Sequence, residues 1–415
     1  MKTASDLHPD ATSTSGARSP RSILVLTYWG FNDALVQTYT LPYLRIIRNQ
    51  LPLGSVIHLV TLEKTTTGTR DVEPGIRVHA FRYVPFGWKA MGMMLNLIFR
   101  CCSLVREQGI DTVHAWCTPA GMVGYMVSVL TGRRLILDSY EPHAEAMVEN
   151  GTWARGSMAF RILFLFERLQ SRRAQVHIAA AEGMRHYALE KYGADCPRFF
   201  VKPACVDLER FSWKNRKRSE VLDRLGLSQE LVAVYAGKFG GIYLDREVFS
   251  FLRVAREHWG ERLHVVLLTA HSAADLEPFM RAEGLEASMF TILFVDHKEV
   301  PDLMGVADFA LTPVRPVPTK RYCTPIKDGE YWALGLPVVI TPDISDDSLI
   351  IARSNAGVVL EGLEREHFQQ AVKRLDVLLA EGAGMLYGRI RPLAEKYRDI
   401  ERAVGIYRSI YGNNE

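Results

Sequence analysis

TPIKDGEYWALGLPVVIT, residues 324–341, decides how this chain is read. Thr324 can cap a helix whose first residue is Pro325, a favoured opening because proline has no N–H to leave unsatisfied. Lys327 and Glu330 then stand three residues apart, on one face of the opening turns. Gly335 and Pro337 end the helix, and Leu336–Thr341 continues as an apolar strand. A helix N-terminus in an open α/β sheet attracts anions through its free N–H groups and its dipole. A lysine one turn in suits a diphosphate. A carboxylate one turn further can accept hydrogen bonds from the vicinal hydroxyls of a ribose. Alone, the pair could equally be an ordinary exposed ion pair, so the neighbouring stretches carry weight.

Upstream, VAVYAGKFGGIYLD spans Val232–Asp245. An apolar strand runs into Gly237-Lys238 and Gly240-Gly241, and a helix starts near Asp245. Glycines after a strand let backbone approach a ligand closely, and Lys238 would meet phosphate charge there. The plainer alternative is a tight turn between strand and helix.

The pattern around both stretches is a repeated strand–helix alternation. Strands are expected at Ile23–Tyr28, Val56–Leu62, Val78–Tyr83, Thr112–Ala115, Leu135–Asp138, Val176–Ala180 and Phe199–Val201. A second series runs Val232–Ala236, Val265–Leu268, Thr291–Val295, Phe309–Thr312 and Val338–Thr341. Continuous β-branched runs separated by helices imply parallel, doubly wound sheets with right-handed crossovers. Helical spacing is read from Ala34 to Asn49. The basic stretch Phe211–Ser219 reads as the link between two α/β halves. The expected organisation is a disordered leader over 1–20, a first domain over 21–213, a second over 214–390 and a helix over 391–415. Tyr397, Ile400, Val404, Tyr407 and Ile410 form one face of that last helix, which docks on its own domain or back across the cleft.

"YAGKFGG", "TPIKDGEYWALGLPVV" and "VKPACVDLERF" together resemble the retaining GT4-like group of GT-B glycosyltransferases, over about Ile23–Gly412. The resemblance implies two Rossmann-like α/β domains facing each other across a cleft, with a nucleotide-diphosphate sugar on the second and an acceptor on the first. It makes Glu330 the ribose-binding carboxylate and Lys238 the basic residue on the donor phosphates, with Gly240 and Gly241 in its loop and Lys327 at a further basic position. Val295 and Asp296 fall near the nucleobase. Gly30 and Phe31 form an acceptor-side loop after the first strand, Glu141 lies on the same side, and His143 stands near the donor sugar; His114 is read as satisfying a local hydrogen bond. Two positions depart from the family. Tyr322 stands where many members have a carboxylate, and Ile242-Tyr243-Leu244 lacks a second basic residue. A nucleotide-sugar 2-epimerase and a catalytically silent binding subunit therefore stay open beside the transferase.

Charge narrows the partners. Fifty basic residues against 47 acidic leave a net charge of +3, which gives no global pull toward nucleic acid. No spaced pair of aspartates follows a nucleotide-binding strand, so no metal is expected, and the six cysteines form no CxxC pair. A reduced, cytoplasmic setting fits them. Phe86–Arg106 and Thr152–Arg173 mix Trp, Phe, Leu and Met with Arg and Lys. They suit either core-facing helices or interfacial helices on anionic lipid, and the second case would fit a lipid-linked acceptor, with a glycan the other expected acceptor.

Overall fold

The computed structural model describes residues 19–33, 35–65, 67–84 and 88–412, with no side-chain description at 88–90. The leader expected over 1–20 thus lies outside the described residues except for its last two, as do Ala34 and Phe86. The first sheet has eight strands: β1 (Ser22–Leu26), β2 (Val56–Glu63), β3 (Gly68–Glu73), β4 (Ile76–Arg82), β5 (Thr112–Trp116), β6 (Arg134–Tyr140), β7 (Val176–Ala179) and β8 (Phe199–Val201). Their order is β3-β4-β2-β1-β5-β6-β7-β8. All pair in parallel except β3, which runs antiparallel to β4. Along β1, Ile23 and Val25 face one buried layer and Leu24 and Leu26 the other, the two-residue period of a strand covered on both faces.

The second sheet has six parallel strands: β9 (Leu231–Ala236), β10 (Leu263–Leu268), β11 (Phe290–Leu293), β12 (Phe309–Thr312), β13 (Val338–Ile340) and β14 (Gly357–Val359). Their order is β11-β10-β9-β12-β13-β14. These are the two α/β halves expected. Two strands were not expected. β3 is a mostly exposed polar edge strand, GTRDVE, and β14 is only three residues long. β3 lacks the apolar run that marks a buried strand, and the run at β14 is too short to stand out.

Val206 and Phe211 already pack in the second core, ahead of the basic stretch read as the link. The chain crosses back at Arg398–Asp399, where the Val206 N–H donates to the Arg398 carbonyl at 2.8 Å and Val206 bridges Asp399. The two crossovers therefore run side by side. The C-terminal region is two helices, Ala383–Tyr397 and Ile400–Tyr407, where one was expected. Asp399 divides them, its carboxylate capping the second helix by accepting from Glu401 N–H. Tyr397 packs on the second core, whereas Tyr407, Ile410 and Tyr411 are buried against the first sheet. His114, buried on β5, accordingly reaches Tyr411 Oη at 2.7 Å as well as Asp138 at 3.3 Å, and its partner is far from local.

Candidate functional site

The 324–341 stretch forms the helix Ile326–Ala333 followed by β13. The helix begins one residue later than expected, and Thr324 does not cap it. The Thr324 hydroxyl instead donates to the Ala180 carbonyl of the first domain at 3.0 Å. Pro325, in an extended conformation, takes the N-cap position. Gly335 closes the helix at φ 69°, the left-handed conformation glycine supplies without a Cβ clash. Within the helix Asp328 is fully buried, and it turns to Thr312 and Asp347 while Asp347 pairs with Arg398. The helix is thereby tied to the crossover, and Gly329 allows that approach, since a Cβ there would come within 2.7 Å of Val206.

Lys327 is buried, and its ammonium has no hydrogen-bond partner. It lies 4.6 Å from the Tyr235 ring centroid and 4.2 Å from that of Tyr243. Burial lowers its pKa to about 8, against the pull of Asp328 and Glu330. Gly237 at the end of β9 makes room for it, because a Cβ there would come 2.6 Å from the ammonium. Glu330 is half-buried, and burial raises its carboxyl to about 7 although Lys327 and Arg210 draw it down. Arg210 in turn donates to the His297 carbonyl. The start of this helix, the end of β9 and the loop after β11 thus converge at the carboxyl ends of the second sheet, where open α/β sheets gather ligands.

Lys238 is exposed on that rim, with its carbonyl accepting from the Tyr235 hydroxyl. Gly240 and Gly241 hold φ values of 78° and 65°, so the loop needs glycine for its turn as well as for approach. Val295 is half-buried against the second core. Asp296 is exposed, and its carboxylate accepts the Lys298 N–H at 2.9 Å, which ties it into a local turn.

On the first domain, the Trp29–Phe31 loop is clamped by Glu63. The Phe31 N–H donates to Glu63 Oε1 at 2.7 Å, and a Cβ at Gly30 would come 2.6 Å from the other oxygen. Glu141 and His143 follow β6, with His143 Nδ1 3.5 Å from Glu141 Oε1. Burial opposes a charged imidazole, but Glu141 and Glu167 outweigh it and raise the His143 pKa. For Glu141, burial opposes ionisation and the His143 hydrogen bond and charge still bring the pKa below its usual value. Glu167 sits beneath, accepting the Ala144 N–H at 2.8 Å and the Tyr192 hydroxyl at 2.9 Å; burial raises it to about 7.

The halves meet where Cys323 Sγ donates to Glu141 at 3.1 Å and Glu149 accepts the Thr319 N–H at 3.1 Å. Tyr322 packs its ring 5.0 Å from Tyr187 of the first domain, so the residue at the position where the resemblance implies a carboxylate fastens the domains together. A cavity of about 230 Å³ lies between them, lined by Trp29 and Glu141 on one side and Cys323, Thr324 and Ile326 on the other. Glu141 and the start of the Ile326–Ala333 helix are thus brought together. Among the described residues no hydrogen bond, ion pair or ring contact joins His143 to Glu330 or Lys327. Among the described residues no cluster of three or more His, Cys, Asp or Glu could hold a metal ion.

Residues 39–205 match the glycosyl transferase 4-like domain. The chain thus carries a glycosyl transferase 4-like domain within a GT-B fold. Among solved structures it is similar to sucrose-phosphate synthase from Thermosynechococcus elongatus, at 13% identity and a TM-score of 0.71, over 94% of this chain and 99% of that one. It is also similar to a glycosyltransferase from Rickettsia africae, at 15% identity and a TM-score of 0.68, over 96% and 100% of the two chains. A third, HepE from Anabaena in complex with UDP, shares 14% identity with a TM-score of 0.68, over 94% and 98%. No curated protein matches the sequence.

Four residues in or beside this cleft escaped the reading of the sequence: Glu63, Glu167, Arg210 and Trp116. Glu63 and Trp116 end buried strands, which is a usable signal. Arg210 and Glu167 carry none, because only the tertiary fold brings them to Glu330 and to the segment after His143.

Proposed function

We propose that the protein transfers a sugar from a UDP- or GDP-linked donor to an acceptor hydroxyl, with retention of configuration and without a metal. The observation that carries this reading is the buried Lys327 ammonium, unpartnered at the start of a helix, with Glu330 one turn on. A buried ammonium without a hydrogen-bond acceptor is costly, and a diphosphate supplies the missing partner. In this reading Lys327, Lys238 and the Gly240–Gly241 loop hold the donor diphosphate. Glu330 accepts from the ribose hydroxyls, Val295 and Asp296 border the base, and His143 faces the transferred sugar. Gly30, Phe31 and Glu141 line the acceptor side. As the glycosidic bond breaks, negative charge gathers on the departing diphosphate, and prepositioned cations and helix N–H groups stabilise it there. That HepE is solved with UDP and with UDP-glucose supports a nucleotide-sugar donor. The test is transfer and donor hydrolysis with a panel of UDP- and GDP-sugars, comparing the wild type with Lys327→Met. Turnover of none of the donors, or equal turnover by the variant, would remove this reading.

The acceptor in this proposal is lipid-linked or a glycan, met at an anionic membrane face. No helix among the described residues is long and apolar enough to cross a membrane. The helices Trp88–Glu107 and Met158–Arg173 do bury one face, through Leu97, Cys101 and Val105 in one and Leu163 and Glu167 in the other. Their other faces expose Met91, Leu95 and Phe99, and Met158, Ile162 and Leu165. Exposed Arg100, Arg106, Arg161 and Arg168 flank these stripes. Apolar stripes bordered by arginine suit interfacial binding. The protein should co-sediment with phosphatidylglycerol vesicles, and salt should release it as screening grows. Equal indifference to neutral and anionic vesicles would leave both as core helices alone.

A further inference from the structure

The cleft cavity gathers irregularities that donor binding does not use. Thr40 and Trp116 both line it, at 0% and 1% exposure, and neither the Thr40 hydroxyl nor the Trp116 indole N–H has a hydrogen-bond partner. Buried polar groups are rarely left so, and two bordering one cavity point to a ligand that completes them. Thr40 ends a π-helical turn, Val36–Thr40, a form concentrated at functional sites. Cys117 and Ser139, which follow Trp116 and Asp138 on adjacent strands, hold φ values of 70° and 49° and also line the cavity. Non-glycine residues keep such conformations only where the surrounding fold imposes them, and they cluster at ligand sites.

The lining also says what chemistry enters. Trp29 and Tyr39 offer aromatic surface, Ser139 and Thr40 offer hydroxyls, and Glu141 offers a carboxylate. Among the described residues no lysine or arginine lines the cavity. Lys202 lies behind it, 4.7 Å from the Trp116 ring, but its ammonium already pairs with Asp138 at 3.0 Å. The cations nearest the Glu141 carboxylate, His143 and Lys320, already face it from outside the lining, so an anionic group entering the cavity would meet that carboxylate first. The volume, about 230 Å³, equals about eight waters at ~30 Å³ each, the scale of a single sugar ring.

We propose that this cavity seats a neutral pyranose ring of the acceptor, with its hydroxyls on the Trp116 indole N–H, the Thr40 hydroxyl and the Glu141 carboxylate, and a C–H face against Trp29 or Tyr39. The proposal rests on the transfer reading and specifies its acceptor: the sugar end enters here, and any phosphate or lipid portion stays outside.

Calorimetric titration of the full chain, with UDP or GDP at saturation, tests it. The probes are the methyl pyranosides of glucose, galactose, mannose and N-acetylglucosamine, set against inorganic phosphate and glycerol 3-phosphate. At least one pyranoside should bind and neither phosphate should compete with it. Thr40→Val and Trp116→Phe, which keep shape and ring stacking, should each weaken that binding by about three- to tenfold, the range of one neutral hydrogen bond. Nucleotide affinity should be unchanged in both, which also reports that they fold. Binding of phosphate in place of pyranosides, binding of none of the pyranosides, or equal binding by folded variants would overturn the proposal. Competition between the pyranoside and an intact UDP-sugar, but not UDP, would assign the cavity to the donor's sugar and overturn it equally. Failure of the wild type to bind any nucleotide is the separate result that would sink the transfer reading.

Discussion

Lys202 and Lys327 are both buried, and both lie against aromatic rings. Lys202 has its ammonium among the rings of Tyr39, Tyr43, Trp116 and Tyr407, at centroid distances from 3.8 to 5.5 Å, and 3.0 Å from Asp138. Lys327 has two rings and no acceptor. The titrations diverge accordingly. Burial opposes charge on Lys202, but Asp138 raises its pKa, whereas burial prevails at Lys327 and lowers it to about 8. Asp138, held to about 2 despite its burial, also accepts from the Tyr407 hydroxyl at 2.6 Å. The same residue type in similar surroundings thus does two jobs, and the counter-charge separates them. A paired buried cation holds the fold together, while one without an acceptor is, in the proposed reading, left for a charge that arrives from outside.

The largest expected effect falls on the paired site. Lys202→Met leaves Asp138 buried and uncompensated, and should destabilise the protein by about 3–5 kcal/mol in urea unfolding. A loss no larger than that of Lys327→Met would erase the distinction between the two lysines. Lys327→Met should fold at least as stably as the wild type, because it removes an unpaired buried charge. It should weaken nucleotide diphosphate by about ten- to a hundredfold, the value of a charge-assisted hydrogen bond, and leave nucleoside binding alone. Glu330→Ala should weaken both ligands by a similar factor. Unaltered nucleoside affinity in that variant would mean the carboxylate does not hold the ribose.

A smaller effect appears in pH profiles. Glu330, raised to about 7, holds a proton in the folded protein that the unfolded chain has released above about 4.3, so this group's contribution to stability falls as pH rises from there to 7. The carboxylate needed by the ribose forms over the same climb, so nucleoside affinity should increase through pH 7. Lys327 is depressed, so between about 8 and about 10.4 the unfolded chain binds the extra proton and this group's contribution to stability rises with pH. Diphosphate favours the charged ammonium, so its affinity should fall above pH 8 by up to about tenfold per unit, with proton uptake visible in two calorimetric buffers. A profile that stays flat above pH 8 would show that Lys327 does not contact the diphosphate.

Most strands could be read from the sequence because each is a continuous apolar run covered on both faces; Phe199–Val201 and Phe309–Thr312 fall where expected. β3 escaped because an exposed edge strand needs no apolar side chains. The i,i+3 spacing made Lys327 and Glu330 visible as a pair, but whether either had a partner depends on Tyr235, Tyr243 and Arg210, which approach only in the folded chain. Thr324 misled for a related reason: its hydroxyl satisfies the Ala180 carbonyl across the domain boundary, an acceptor no local pattern reveals.

The return of Tyr407 and Tyr411 to the first sheet bears on how the protein is made. Asp138, Lys202 and His114 leave the ribosome some two hundred or more residues before the tyrosines that close over them. The second domain is synthesised in full during that interval. Until the last helix emerges, the first domain carries an ion pair and an imidazole open to water beside its strand ends. The domain translated first is therefore the one whose core is completed last, and a ribosome stalled near Asp399 would display it unsealed.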